Sequence, residues 1–287
     1  MVTFPAEGRW SLRAVADDDA RAVASFLSRE PLINVYLLSR LEEERSAAAT
    51  QMIAVRHDGE IVMAASLATN VVLAGAPAER HDRIDTAASL IADRIITRML
   101  PVRAIISPAH LVESLWSHLR SHLDPPTVVR MTQPTYALRP RLDFPDLRAA
   151  RYGKPADLDR LVPACAAMHK EEVGIDPLLR DPAGYRERVR ELVDQGRSIV
   201  RIEEGEIVAK CEFSAVTATA VQLMGVWTHP RFRRHGLARE TLREVCGHLF
   251  RKRQSVTLFV NDFNRPAIAL YESLGFTQIG INRALIW

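Results

Sequence analysis

No stretch of this 287-residue chain approaches the roughly 18 consecutive apolar residues of a membrane-spanning helix, so a membrane partner is not expected. The opening residues, Met1–Trp10, lack the apolar core of a secretory signal, and a cytoplasmic location is expected. Cysteine is scarce: Cys165, Cys211 and Cys246 are odd in number and widely spaced, with no CxxC pair and no histidine at ligand spacing. That pattern argues against a disulfide framework and a bound metal, and for a reducing compartment. A surplus of one charge is also missing, since 38 Lys and Arg against 35 Asp and Glu leave only +3. Nucleic acid is therefore not an expected partner. The longest basic run, Arg251-Lys252-Arg253, ends an amphipathic stretch, where cations complement the helix dipole; a contact to phosphate is the alternative.

Hydrophobic residues at 47% and charged residues at 25% give an ordinary globular balance, and the length favours two domains. Arg9–Ala16 alternates like a strand, and Asp17-Asp18-Asp19 reads as the N-cap of a helix over Ala20–Ser28. A second helix is expected over Leu32–Glu44. Met52–Arg56 and Ile61–Ala68 flank Asp58-Gly59, a strong hairpin signal, with Asn70–Ala74 as a third strand. Then follow a helix over His81–Met99, a strand over Arg103–Ser107, a helix over Leu111–Leu123 and a pair of strand-like runs over Thr127–Leu138.

Arg139–Asp146, with Pro140 and Pro145 among charges, breaks this pattern and reads as a linker. The expected domains are 1–144 and 145–287. Beyond the linker the same order recurs: a strand over Leu147–Arg151, helices over Asp157–Met168 and Pro182–Gln195, and strands Ser198–Glu203 and Ile207–Ser214 flanking Glu204-Gly205. Ala218–Trp227 is a third strand, Pro230–Gly236 a loop, and Ala238–Phe250 an amphipathic helix with Leu242, Val245, Cys246 and Leu249 on its apolar face. Ser255–Val260, a helix over Pro266–Leu274 stopped by Gly275, and Phe276–Ile286 complete it. The halves share this order with little residue identity, which points to a duplicated α/β architecture.

The chemistry concentrates in the second half. Arg233-Arg234-His235-Gly236-Leu237-Ala238 lies between an apolar strand and an amphipathic helix. The first N–H groups of a helix have no internal partner and sit at the positive end of its dipole, so such a junction can bind an anion. Gly236 allows close backbone approach, and Arg233 and Arg234 add charge. An ordinary helix entry with incidental arginines has the same letters. Further on, Asn264-Arg265-Pro266-Ala267 opens a helix carrying Tyr271 and ending at Gly275-Phe276.

Together these two segments resemble the GNAT N-acetyltransferase superfamily. Arg233, Gly236 and Ala238 match its CoA pyrophosphate loop, Arg/Gln-x-x-Gly-x-Gly/Ala, and Asn264, Ala267, Tyr271, Gly275 and Phe276 match its later signature without a gap. Gly225-Val226-Trp227-Thr228-His229-Pro230 looks like the strand end whose Val226 and Thr228 backbone groups meet pantetheine amides. The resemblance implies acetyl-CoA as co-substrate, held by Val226, Trp227, Thr228, Arg233, Arg234, His235, Gly236, Leu237, Ala238, Asn264, Ala267 and Tyr271, with no metal. It implies an α/β fold of two GNAT-like domains in tandem, each a mixed, mostly antiparallel sheet flanked by helices. The first half is degenerate: where the loop would stand it reads Gly75-Ala76-Pro77-Ala78-Glu79-Arg80.

The implied reaction moves an acetyl group to an amine of a small molecule, peptide or protein. It needs a proton for the departing thiolate, and the resemblance places Tyr271 near the CoA sulfur; packing alone is the other role open to this side chain. For a general base, Glu212 stands in the apolar run Cys211-Glu212-Phe213, and faces either inward as a catalyst or outward as an ordinary strand residue. Glu171 and Glu172 are expected between the two early helices, beside the acceptor cleft or simply solvated. His169, His229 and His235 receive no catalytic role. A CoA-binding sensor with little turnover and transfer of a different acyl group are the competing functions, as monomer or homodimer.

Overall fold

Asp58 and Gly59 adopt φ of 51° and 87°, and Glu204 and Gly205 repeat the pair at 50° and 83°. Two successive left-handed residues make a type I′ turn, whose twist matches that of the antiparallel strands it joins. In the computed structural model, which describes residues 8–44, 51–75, 81–141 and 143–287, these turns sit at matching places in two units. One unit takes the described residues up to Thr135 with Asn261–Phe263 and Ile279–Trp287; the other takes Tyr136–Val260 with Asn264–Gln278.

The first unit runs β1 (Trp10–Ala14), α1 (Asp17–Leu27), α2 (Val35–Glu44), β2 (Met52–His57), β3 (Glu60–Leu67), β4 (Asn70–Gly75), α3 (His81–Thr97), β5 (Ala104–Pro108), α4 (Ala109–Leu119) and into β6 (Val128–Leu138). β1 to β4 pair antiparallel in order, and β5 joins β4 in parallel. Alternation along the strands supplies two cores. Met52, Ala54, Ala64 and Ala74 face α1 and α2, while Ile53, Val55, Met63 and Leu73 face α3 and α4. The three aspartates lie inside the first turn of α1 rather than before it, and no side chain caps the helix. There they still complement its dipole. Thr127–Leu138, read as two runs, is one strand with Pro134 within it. Residues 76–80 of the degenerate loop segment lie outside the described residues.

The second unit continues with β7 (Ala150–Tyr152), α5 (Leu158–Val173), α6 (Pro177–Arg180), α7 (Pro182–Asp194), β8 (Ser198–Glu203), β9 (Glu206–Val216), β10 (Ala220–Thr228), α8 (Leu237–Phe250), β11 (Ser255–Phe259), α9 (Arg265–Ser273) and β12 (Thr277–Ile286). β7 to β10 are antiparallel, and β11 is parallel to β10. Leu161, Cys165 and Val189 of α5 and α7 pack on one face with Trp227; Leu242, Cys246 and Tyr271 of α8 and α9 pack on the other with Phe213 and Leu223. The element order of the first unit thus recurs, with α6 added. The end of β12, Asn282–Ile286, pairs antiparallel with β5 and belongs by contacts to the first unit.

The stretch expected as a linker is fastened onto α8. Arg243 donates to the Asp143 carbonyl at 2.7 Å, and its guanidinium lies 5.1 Å from the Phe144 ring centroid. Asp146 accepts from His248 Nδ1 at 2.7 Å and pairs with Arg251 at 3.1 Å. The buried Glu244 carboxylate accepts three backbone N–H groups, of Arg148, Ala149 and Ala150, at 2.9–3.0 Å. Gly247 makes room, because a Cβ there would overlap the Pro145 carbonyl oxygen. Glycine to alanine inside a helix ordinarily stabilises by about 1 kcal/mol. Here Gly247→Ala is expected to destabilise by about 1–3 kcal/mol, the typical cost of overpacking, measured by denaturant unfolding.

Candidate active site

β11 pairs with β10 only at Ala220–Gln222, against Ser255–Thr257. From there β10 runs on to Thr228 paired to β9 alone, so one edge of its backbone is open. Along this stretch the register slips: Met224 opposes Glu212 and Trp227 opposes Lys210, leaving Gly225 and Val226 together against Cys211. This is a β-bulge, and Gly225 takes it up at φ 58°. Past the bulge the His229 N–H bonds the Val208 carbonyl of β9 at 3.0 Å, so the Thr228 carbonyl points to the open edge. Val226, two residues back, presents its backbone the same way.

The chain leaves β10 through a short 3₁₀ turn, Pro230–Phe232, where His229 Nδ1 accepts the Arg231 N–H at 3.3 Å. Arg234 and Gly236 then turn left-handed, at φ 68° and 82°. Gly236 precedes α8 and no side chain caps that helix, so its first-turn N–H groups face outward. Arg234, His235 and Gly236 are exposed, whereas Leu237 is buried and anchors the turn; Ala238 is half-buried. The junction can therefore receive an anion. Arg233, expected to add charge at the junction, is engaged within the protein: Nε donates to the Thr228 carbonyl at 3.0 Å and a terminal nitrogen meets Glu171 Oε2 at 2.6 Å. It braces the loop against β10. Arg234, at the lip, has no ion-pair partner among the described residues.

Glu171 and Glu172 lie on the last turn of α5, not between helices. The helix runs on to Val173 and stops at Gly174, whose φ of 80° is the left-handed exit that glycine permits. From there Glu171 bridges Arg233 and the Trp227 indole, accepting Nε1 at 3.4 Å. α5 and the loop after β10 are thus tied through one carboxylate.

Glu212 faces inward and is buried. Its Oε1 accepts from Lys210 Nζ at 2.7 Å and from Cys165 Sγ at 3.1 Å. Its Oε2 lies against the bulge: a Cβ on Gly225 would overlap it and come within 3.2 Å of Lys210 Nζ. Lys210, fully buried, also donates to the Gly225 carbonyl at 3.1 Å and reaches Met168 Sδ at 3.4 Å. Burial alone would lower its ammonium, but Glu212 outweighs this and holds it above the usual lysine range. Burial raises the Cys165 thiol, with Glu212 adding to the shift, so it stays a donor. Burial likewise raises the phenol of Tyr185, which feels Cys165, Glu212 and Lys210 from α7. Lys210 and Cys165 were given no place in the site from sequence. The available signal was Lys210 two residues before Glu212, which puts both on one face of a strand.

On α9, Asn264 is the N-cap, its Oδ1 accepting the Ala267 N–H at 3.3 Å. Tyr271 is buried, 5.8 Å from the Phe276 ring across the Gly275 exit at φ 92°. Burial pushes its phenol above the ordinary tyrosine range, and the Glu172 carboxylate adds to the shift. Tyr271 therefore stays protonated through neutral pH. Among the described residues no group of three or more His, Cys, Asp or Glu is arranged to hold a metal ion. None of the described helices is long and apolar enough to cross a membrane.

Residues 166–276 match the Acetyltransferase (GNAT) family. Comparison with curated proteins finds no match. Among solved structures, a GCN5-related N-acetyltransferase from Sphaerobacter thermophilus is 19% identical, with TM-score 0.60 over 99% of this chain and 97% of its own. A Drosophila protein aligns at TM-score 0.66 and 12% identity, over 96% of this chain and 98% of its own. A tandem GNAT protein from the clavulanic acid biosynthesis pathway aligns at TM-score 0.52 and 15% identity, over 97% and 98%. The match to the acetyltransferase (GNAT) family thus spans 166–276, and the likeness of fold to these solved structures extends over nearly the whole chain.

Proposed function

We propose that this protein transfers an acetyl group from acetyl-CoA to an amine, with the chemistry in 145–287 and a degenerate GNAT-like half in 1–144. The observation that carries this is a coincidence on β10: an edge left open by β11, a bulge backed by a buried carboxylate, and the uncapped start of α8 just beyond. In this reading the first-turn N–H groups behind Gly236, with Arg234 beside them, take the pyrophosphate, and the Val226 and Thr228 backbone meets the pantetheine amides. Trp227 and Asn264 shape the wall, and Arg233 holds the loop in place.

The amine nitrogen attacks the acetyl carbon and the carbon–sulfur bond breaks. Glu212 accepts the proton that the nitrogen loses, through Oε2, while Tyr271 gives its proton to the departing sulfur. Buried in low-dielectric surroundings, both groups act where water does not compete. The test is a screen of acetyl-CoA against a broad panel of small, peptide and protein amines, following free thiol. The expected result is thiol release that depends on one class of amine and yields an N-acetyl product by mass. Tight CoA binding with no amine-dependent thiol release would reject transfer, and a heavier acyl-CoA that co-purifies and turns over would reject the acetyl donor.

A further inference from the structure

We propose that Lys210 is a positioning residue, which fixes Glu212 and the Gly225 bulge in one arrangement so that Oε2 of Glu212 is presented to the reacting amine. The inference rests on the acetyl-transfer reading. It goes beyond it by assigning a task to a buried cation that no step of the reaction consumes.

An ammonium group has three N–H donors and no acceptor. Those of Lys210 have three neighbours: Glu212 Oε1 at 2.7 Å, the Gly225 carbonyl at 3.1 Å and Met168 Sδ at 3.4 Å. With its donors engaged and its side chain fully buried, Lys210 has nothing left for a substrate oxygen and is not a catalytic residue. A buried ion pair is also a poor device for stability, because removing both charges from water offsets most of their attraction. What the pair does achieve is geometric. Glu212 and Lys210 project from the same face of β9, and the lysine reaches across to the Gly225 carbonyl within the bulge. Oε1 is thereby occupied, by Lys210 and by Cys165 from α5, and Oε2 is left against Gly225. The titratable groups that feel this centre are Lys210 and Cys211 on β9, Cys165 on α5 and Tyr185 on α7. Lys210 is the one cation among them.

Lys210→Met keeps the length and apolar stem and removes the charge. In the full chain, with the best amine from the panel, kcat is expected to fall about 100-fold, the lower range for a positioned acid–base group. KM for acetyl-CoA should change less than about 3-fold, because the pyrophosphate junction is untouched. Lys210→Arg, which keeps a buried cation, should recover part of the loss in kcat. A merely structural lysine would lower the melting temperature of Lys210→Met and leave kcat of the folded protein near the native value, and this outcome overturns the proposal. A readout without turnover is the crystal structure of Lys210→Met, in which the Glu212 carboxylate should leave its place against Gly225; an unmoved Glu212 and bulge overturn the proposal. Should Lys210→Met not fold, Lys210→Gln takes its place in both measurements. If the native chain acetylates no amine, the acetyl-transfer reading fails while the crystal structure still decides whether Lys210 fixes Glu212.

Discussion

Gly236→Glu is expected to lower CoA affinity by more than about 100-fold. A hydrogen bond to a charged group contributes about 1.5–3 kcal/mol, so losing two at the pyrophosphate is already two or more powers of ten. The substitution removes them in two ways. Gly236 sits at φ 82°, which a side chain adopts only with strain, so the turn shifts and the outward N–H groups of α8 shift with it. The new carboxylate also stands where the dipole end attracts the anion. A Cβ at this position meets nothing closer than Glu240 Oε1 at 3.9 Å, so overall folding should survive. Calorimetric titration with CoA checks this directly, and unchanged affinity would remove the junction from the binding site.

The second large effect concerns turnover. Tyr271→Phe removes one oxygen from a buried ring that packs with Phe276 and the α8 side chains, so the fold and CoA affinity should change little. If the phenol protonates the departing sulfur, kcat should drop by about 10²–10⁴-fold, the usual contribution of a general acid. The pH dependence carries the same sign. Burial, with Glu172, raises the phenol, so the acid form persists above the ordinary tyrosine pKa of about 10 and turnover should not fall there on account of Tyr271. Stopped-flow kinetics over that range decide it. Equal kcat in Tyr271→Phe would return Tyr271 to a packing role.

The centre of this site was legible in part. Gly236, Gly225 and Gly275 stand where the backbone turns left-handed, and in the sequence they mark ends of strands and helices. The I′ turns at Asp58-Gly59 and Glu204-Gly205 were equally plain, because a two-residue hairpin admits few residue types. Glu171 was harder. Its segment reads as a charge run between helices, and only the continuation of α5 to Gly174 brings the carboxylate within 2.6 Å of Arg233. Arg233 itself matched a motif position, yet its contact with the Thr228 carbonyl depends on where the turn folds back.

By itself the sequence determined the order of elements in both halves apart from α6 and the unbroken β6, the strand-to-helix junction behind Gly236 and the inward or outward choice for Glu212 as an open pair. Those are matters of local backbone freedom and of period along one strand or helix. Tertiary structure alone decided that Glu212 turns inward, that Lys210 and Cys165 hold it, that Gly247 seats residues 143–146, and that Asn282–Ile286 pair with β5. Each of these joins residues far apart in the chain or selects between two faces of a strand. Such choices follow from which surfaces are buried together, a quantity that no local pattern contains.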